Sequence, residues 1–130
     1  MARVMICDDD RVMADQLVAA LRAARHEATT CHHTMDVLRE ADKGSFDLIA
    51  LGLDMPGFGG ARAIEVLHEI EPYVSLIGFH RRPLEVMRTA AHERLAAVLP
   101  RPVSVTTFMY AVARALEAQQ RRGLTSAHSL

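Results

Sequence analysis

The chain has 130 residues, half of them apolar and 24% charged, with a formal net charge of −1 and a pI near 6.6. That is the size of one ordinary domain, with enough apolar surface for its own core. It gives no bulk electrostatic attraction to nucleic acid or an anionic membrane, and its few aromatics (5%, no Trp) offer little base-stacking surface.

The first predicted element is a short β-prone run, Val4-Met5-Ile6-Cys7, which ends in Asp8-Asp9-Asp10. It is far too short for a signal peptide or a membrane span. Residues 11–24 place Val12, Leu17, Leu21 and Ala24 at close to helical spacing, with Asp10 as the N-cap. Residues 26–31 read as a weak strand. Residues 34–41 read as a helix with Met35 and Leu38 inward, stopping near Gly44. The nearly continuous apolar run 46–51 has the composition of a central parallel strand covered on both faces. A Pro/Gly loop over 55–60 leads into a helix over 61–71, with Ile64, Leu67 and Ile70 on one side and Pro72 ending it. A strand over 74–79, a helix over 83–92 and a last short strand over 96–99 follow. Ser104 then caps a helix through about Gln120, with the stripe Phe108, Met109, Val112 and Leu116. Residues 121–130 are expected to form a flexible tail.

Strand and helix thus alternate five times, which predicts a parallel sheet with helices on both faces. Reaction and ligand sites of such folds lie at the carboxyl ends of the strands. Asp8, Asp9, Gly52, Asp54, His80 and Arg101 all fall at or just past such ends. Other candidates are weaker. His32-His33 reads as a solvent-facing pair. Gly57, Gly59 and Gly60 lack the lysine of a phosphate-cradling loop. No Ser-His-Asp order or nucleophile elbow occurs. Cys7 and Cys31 read as buried small hydrophobes, the acids after Cys7 raising its pKa, and the absence of a disulfide framework points to a reducing cytoplasmic address.

The acid cluster after the first strand, Met55-Pro56-Gly57 after the third and Arg101-Pro102 after the fifth stand in a fixed order around that strand pattern. Together they resemble the receiver domain of bacterial two-component response regulators, over about the first 120 residues. The resemblance implies a flavodoxin-like, doubly wound five-stranded parallel sheet in the order 2-1-3-4-5 with five helices, as one domain over residues 1–120. In that family an aspartate in the place of Gly52 accepts the phosphoryl group, and an acid pair in the place of Asp8 and Asp9 holds Mg²⁺. Glycine can form no acyl phosphate and removes one metal ligand, so Mg²⁺ is expected to bind weakly or not at all, with no other cofactor. His80 stands where the family carries a Thr or Ser, and it reads as a surface or salt-bridged histidine. Val98 stands where the family carries the rotating Tyr or Phe of the switch, and valine is stiff and small. Arg101 stands for the lysine that contacts the phosphoryl oxygens. With no phosphate to hold, it is free to pair with Asp8 or Asp9. The bond to Pro102 is cis in the family pattern.

The resemblance therefore implies a stand-alone, non-enzymatic receiver-like domain that signals by protein–protein contact without aspartyl phosphorylation. Its expected partners are a histidine kinase, a phosphotransfer protein or another regulator, with no nucleic acid and no membrane. The family's contact face corresponds here to Arg81, Arg82, Glu85, Arg88, Tyr110, Arg114 and Glu117, and offers a homodimer contact through the last two helices. Two alternatives stay open on the residues: phosphotransfer through a non-standard acceptor, Asp54, and a metal- or small-ligand-binding module at the strand ends.

Overall fold

The computed structural model describes residues 1–55, 60–81 and 93–128. The chain runs β1 (Arg3–Cys7), α1 (Arg11–Ala23), β2 (Glu27–Cys31), α2 (Thr34–Asp42), β3 (Leu48–Gly52), α3 (Gly60–Ile70), β4 (Ser75–His80), β5 (Ala97–Pro100) and α4 (Val105–His128). The five strands form one parallel sheet in the order β2-β1-β3-β4-β5. The helix expected over 83–92, with Arg82, Glu85 and Arg88, lies outside the described residues, as does most of the Pro/Gly loop.

Because successive strand side chains point to opposite faces, the sheet buries two separate cores. Val4, Ile6, Leu48, Ala50, Ile77 and Phe79 pack under α1 and α4. Met5, Cys7, Ile49, Leu51 and Leu76 pack under α2 and α3. All five β3 residues are buried, as a central strand between two helical layers requires. The rings of Phe79 and Phe108, 5.8 Å apart, tie β4 to α4.

Two helices, α1 and α4, begin where their caps predict. Asp10 accepts a hydrogen bond from the Met13 N–H at 3.0 Å, and Ser104 Oγ accepts one from Thr107 N–H at 3.3 Å. Their inward faces differ in detail from the sequence reading. In α1, Met13, Ala14, Leu17, Val18 and Leu21 face the sheet, while Val12 is 69% exposed and Ala24 lies outside the core. In α2, Thr34, Val37 and Ala41 are buried, Leu38 is half-buried and Met35 is 55% exposed. Neighbouring residues sit about 100° apart on a helix, so seating Thr34 and Val37 turns Met35 outward. Ile70, in the last turn of α3, is also exposed.

The last helix continues to His128, where a flexible tail from residue 121 was expected. Gln119, Gln120, Arg121 and Arg122 are good helix formers, and Glu117 pairs with Arg121 one turn on at 3.6 Å. A single Gly123 is a weak stop against that run, costing about 1 kcal/mol. At the amino end of the sheet, Gln119 Nε2 donates to the Asp47 carbonyl at 2.9 Å and the Tyr73 carbonyl at 2.8 Å, pinning α4 to both loops.

Leu53 follows β3 as a buried wedge, its N–H donating to the Phe79 carbonyl at 2.8 Å. The first residue of α3, Gly60, lies so close that a Cβ there would stand 2.6 Å from the Leu53 Cα and carbonyl oxygen. Backbone cannot yield as a side-chain end can. Gly60→Ala is therefore expected to lower stability by about 1–3 kcal/mol, read as a lower urea midpoint. An unchanged midpoint would show that α3 can shift off Leu53.

Candidate functional site

The carboxyl ends of β1, β3, β4 and β5 converge on Asp8. Its carboxylate is fully buried, and each of its oxygens has a partner. Oδ1 accepts from the Asp10 N–H and from Arg101 Nη1, both at 2.8 Å. Oδ2 meets Arg101 Nη2 at 2.5 Å, a close ion-pair contact without aligned hydrogen-bond geometry. The Asp8 main chain is held as well. Its N–H donates to the Cys31 carbonyl at 3.0 Å, and its carbonyl lies 2.8 Å from His32 Nδ1. A carbonyl can only accept, so Nδ1 carries the proton. His32 is therefore half-buried and tethered, in contrast to the solvent-facing pair expected; His33 is exposed.

Arg101 reaches this carboxylate from the end of β5. Its side chain is only 6% exposed. Its N–H donates to the His80 carbonyl at 2.9 Å, and the bond to Pro102 is cis. Burial pulls the Arg101 pKa down. The hydrogen bond and charge of Asp8, with Asp9 and Asp54 farther out, more than offset that, so the net shift is upward and the guanidinium stays charged.

Gly52 ends β3 directly beneath this pair. A Cβ built on it would overlap Arg101 Nη2 and stand 2.8 Å from Asp8 Oδ2 and 3.1 Å from Met55 Cγ. The guanidinium thus fills the space that any side chain at residue 52 would need. Met55 contributes to that crowding, though it entered the sequence reading only as part of a loop motif.

The remaining candidates divide. Asp9 is exposed. Asp54 is exposed too, with Oδ2 accepting from the Arg81 N–H at 2.6 Å, so its carboxylate is engaged at the exposed β4 end. His80 corrects the surface or salt-bridged reading. It is 4% exposed, and its Nδ1 has no hydrogen-bond partner among the described residues. The cause is that β4 runs one residue farther than expected, taking His80 into the sheet opposite Pro100. Val98 is half-buried on β5 opposite Gly78 and packs on the α2/α3 core. Arg81, Tyr110, Arg114 and Glu117 are exposed, with the Arg114 guanidinium 5.9 Å from the Tyr110 ring centre. The Cys7 thiol is pushed up in pKa, most by its neighbour Cys31, then by burial, with Asp8 a smaller contributor than the sequence suggested.

This donor set does not fit a divalent cation. A hard dication takes several carboxylate oxygens. Here Asp8 gives both of its oxygens to Arg101, residue 52 has none to give, and among the described residues no three His, Cys, Asp or Glu side chains are grouped to hold a metal.

The profile of the response regulator receiver domain matches residues 4–113. The chain is 32% identical over 106 residues to the response regulator receiver protein Anae109_2439 of Anaeromyxobacter sp. (strain Fw109-5), covering 81% of this chain and 44% of that protein. It is 29% identical over 118 residues to the DNA-binding transcriptional regulator NtrC of Azospirillum brasilense, covering 90% of this chain and 24% of that protein. The chain thus spans less than half the length of these relatives. Among solved structures, a CheY-like receiver domain protein from Methanospirillum hungatei JF-1 superposes with a TM-score of 0.87 at 20% identity, covering 94% of this chain and 98% of that one. The strand order and the helical layers on both faces are those of a receiver fold. The chain belongs to the response regulator receiver domain family.

Proposed function

We propose that this receiver domain signals by protein–protein contact, independently of aspartyl phosphorylation, with Gly52 in the acceptor's place. The observation that carries this reading is the Arg101 guanidinium seated on Asp8 and over Gly52, where an acceptor carboxylate and a metal would otherwise stand. An internal cation there neutralises Asp8 permanently, and no ligand is needed to balance it. Receiver domains meet kinases and other signalling proteins. For this chain the partner is a histidine kinase, a phosphotransfer protein or another regulator, met through the exposed face bearing Tyr110, Arg114 and Glu117 with Arg81. The same face, with Arg82, Glu85 and Arg88 beyond the described residues, is the place for a homodimer through the last two helices. No nucleic acid, membrane or resident metal enters this reading. Among the described residues no helix is long and apolar enough to cross a membrane.

The test is intact-mass spectrometry after incubation with acetyl phosphate and Mg²⁺. The expected result is an unchanged mass. Addition of one phosphoryl group, mapped to the peptide bearing Asp54 or Asp9, would overturn the proposal and support the alternative acceptor.

A further inference from the structure

Cys7 and Cys31 have no part in the signalling described above. They are direct register partners at the ends of the parallel strands β1 and β2. Paired residues of adjacent parallel strands stand about 4.8 Å apart and point to the same face. Both cysteines pack in the α2/α3 core. A Cα separation near that spacing lies inside the range a disulfide spans. The two thiols are free in this structure. Cys7 is wholly buried, and its Sγ–H donates to the His33 carbonyl at 3.3 Å. Cys31 differs in one respect. It is 8% exposed and lines an open cavity of about 440 Å³ with Arg3, Arg11, His32 and His33 among its walls.

From this juxtaposition we infer that Cys7 and Cys31 form a reversible dithiol–disulfide pair, with Cys31 as the thiol a hydroperoxide attacks and Cys7 as the resolving thiol. With only 8% of Cys31 exposed, a small oxidant is favoured over a bulky disulfide reagent. In the first step the Cys31 sulfur attacks one peroxide oxygen and the O–O bond breaks. The departing hydroxide takes the Cys31 thiol proton and leaves as water, and Cys31 becomes a sulfenic acid. In the second step Cys7 attacks that sulfur, the S–O bond breaks, and the departing hydroxide takes the Cys7 proton as a second water. Two thiols are oxidised by two electrons and one peroxide is reduced by two. A thiol reductant reverses the bond.

The bond would act next to the Asp8 centre. Cys7 precedes Asp8, and the Cys31 carbonyl already accepts the Asp8 N–H at 3.0 Å. Oxidation would therefore tie the β1 and β2 ends together directly before Asp8, whose carboxylate Arg101 holds.

The test treats the whole chain with a low excess of hydrogen peroxide, blocks remaining thiols under denaturing conditions, and digests with trypsin. Cleavage after arginine places Cys7 in the peptide 4–11 and Cys31 in the peptide 26–39. The expected result is a single species of these two peptides joined, lighter by two hydrogens than their sum and separated by dithiothreitol. Cys7→Ser is expected to stall with one oxygen on Cys31, trapped by dimedone. Cys31→Ser is expected to leave Cys7 fully blockable. Wild-type peptides recovered apart, with both cysteines blocked or with Cys31 carried to the sulfinic acid while Cys7 stays free, would overturn the inference. So would joining between two chains in place of within one.

Discussion

Arg101→Ala is expected to cost about 3–5 kcal/mol of folding stability, the range for removing one partner of a buried ion pair. The substitution would leave the Asp8 carboxylate, among the described residues, with only the Asp10 N–H as a donor to its oxygens and with no counter-charge against Asp9 and Asp54 nearby. Urea unfolding reads this as a large fall in midpoint. Loss of charge and loss of packing are separated by the double variant Asp8→Ala/Arg101→Ala. It removes the stranded carboxylate and is expected to be more stable than Arg101→Ala alone. A single variant within about 0.5 kcal/mol of the parent, the range of ordinary surface substitutions, would show that the pair only fills space.

Gly52→Asp is expected not to restore phosphorylation by acetyl phosphate and Mg²⁺. The new Cβ would overlap Arg101 Nη2, and the new carboxylate would be drawn into a salt bridge with that guanidinium, masking both the nucleophile and the metal site. Overpacking of this kind also costs about 1–3 kcal/mol unless Arg101 swings out. Adding Arg101→Lys replaces the planar fork by a single flexible ammonium. The pair Gly52→Asp/Arg101→Lys is expected to gain the mass of one phosphoryl group where Gly52→Asp alone gains none. Equal phosphorylation of both variants would show that Arg101 is no barrier. Inertness of both would place the remaining block at the buried His80 and at Val98.

Much of the fold was legible in the chain because its signals are local. The run 46–51 announces a strand buried on both faces, and Asp10 and Ser104 mark their helix starts by side-chain chemistry within three residues. The Arg101–Asp8 pairing was legible as one of two options, Asp8 or Asp9. Which acid wins depends on strand parity: Val4 and Ile6 face the α1/α4 core and Asp8 continues that side, while Asp9 turns to solvent. What was not legible are contacts between distant segments. The overlap of Arg101 with the space above Gly52 joins residues far apart in the chain, and no local pattern encodes it. His80 was misread because its burial follows from one extra β4 residue pairing with Pro100. Met35 and Val12 were misplaced because apolar residues at helix starts fit more than one stripe, and packing chooses among them.

The length of α4 has a mechanical consequence. Its 24 residues extend roughly 36 Å, against strands of four to six residues that span roughly 13–20 Å. Gln119 fixes it at the amino end of the sheet, and the turns to His128 continue roughly 13 Å past that fulcrum. A slight rocking of the helix on the sheet would be magnified at the far tip, as a crank handle multiplies the movement of its axle.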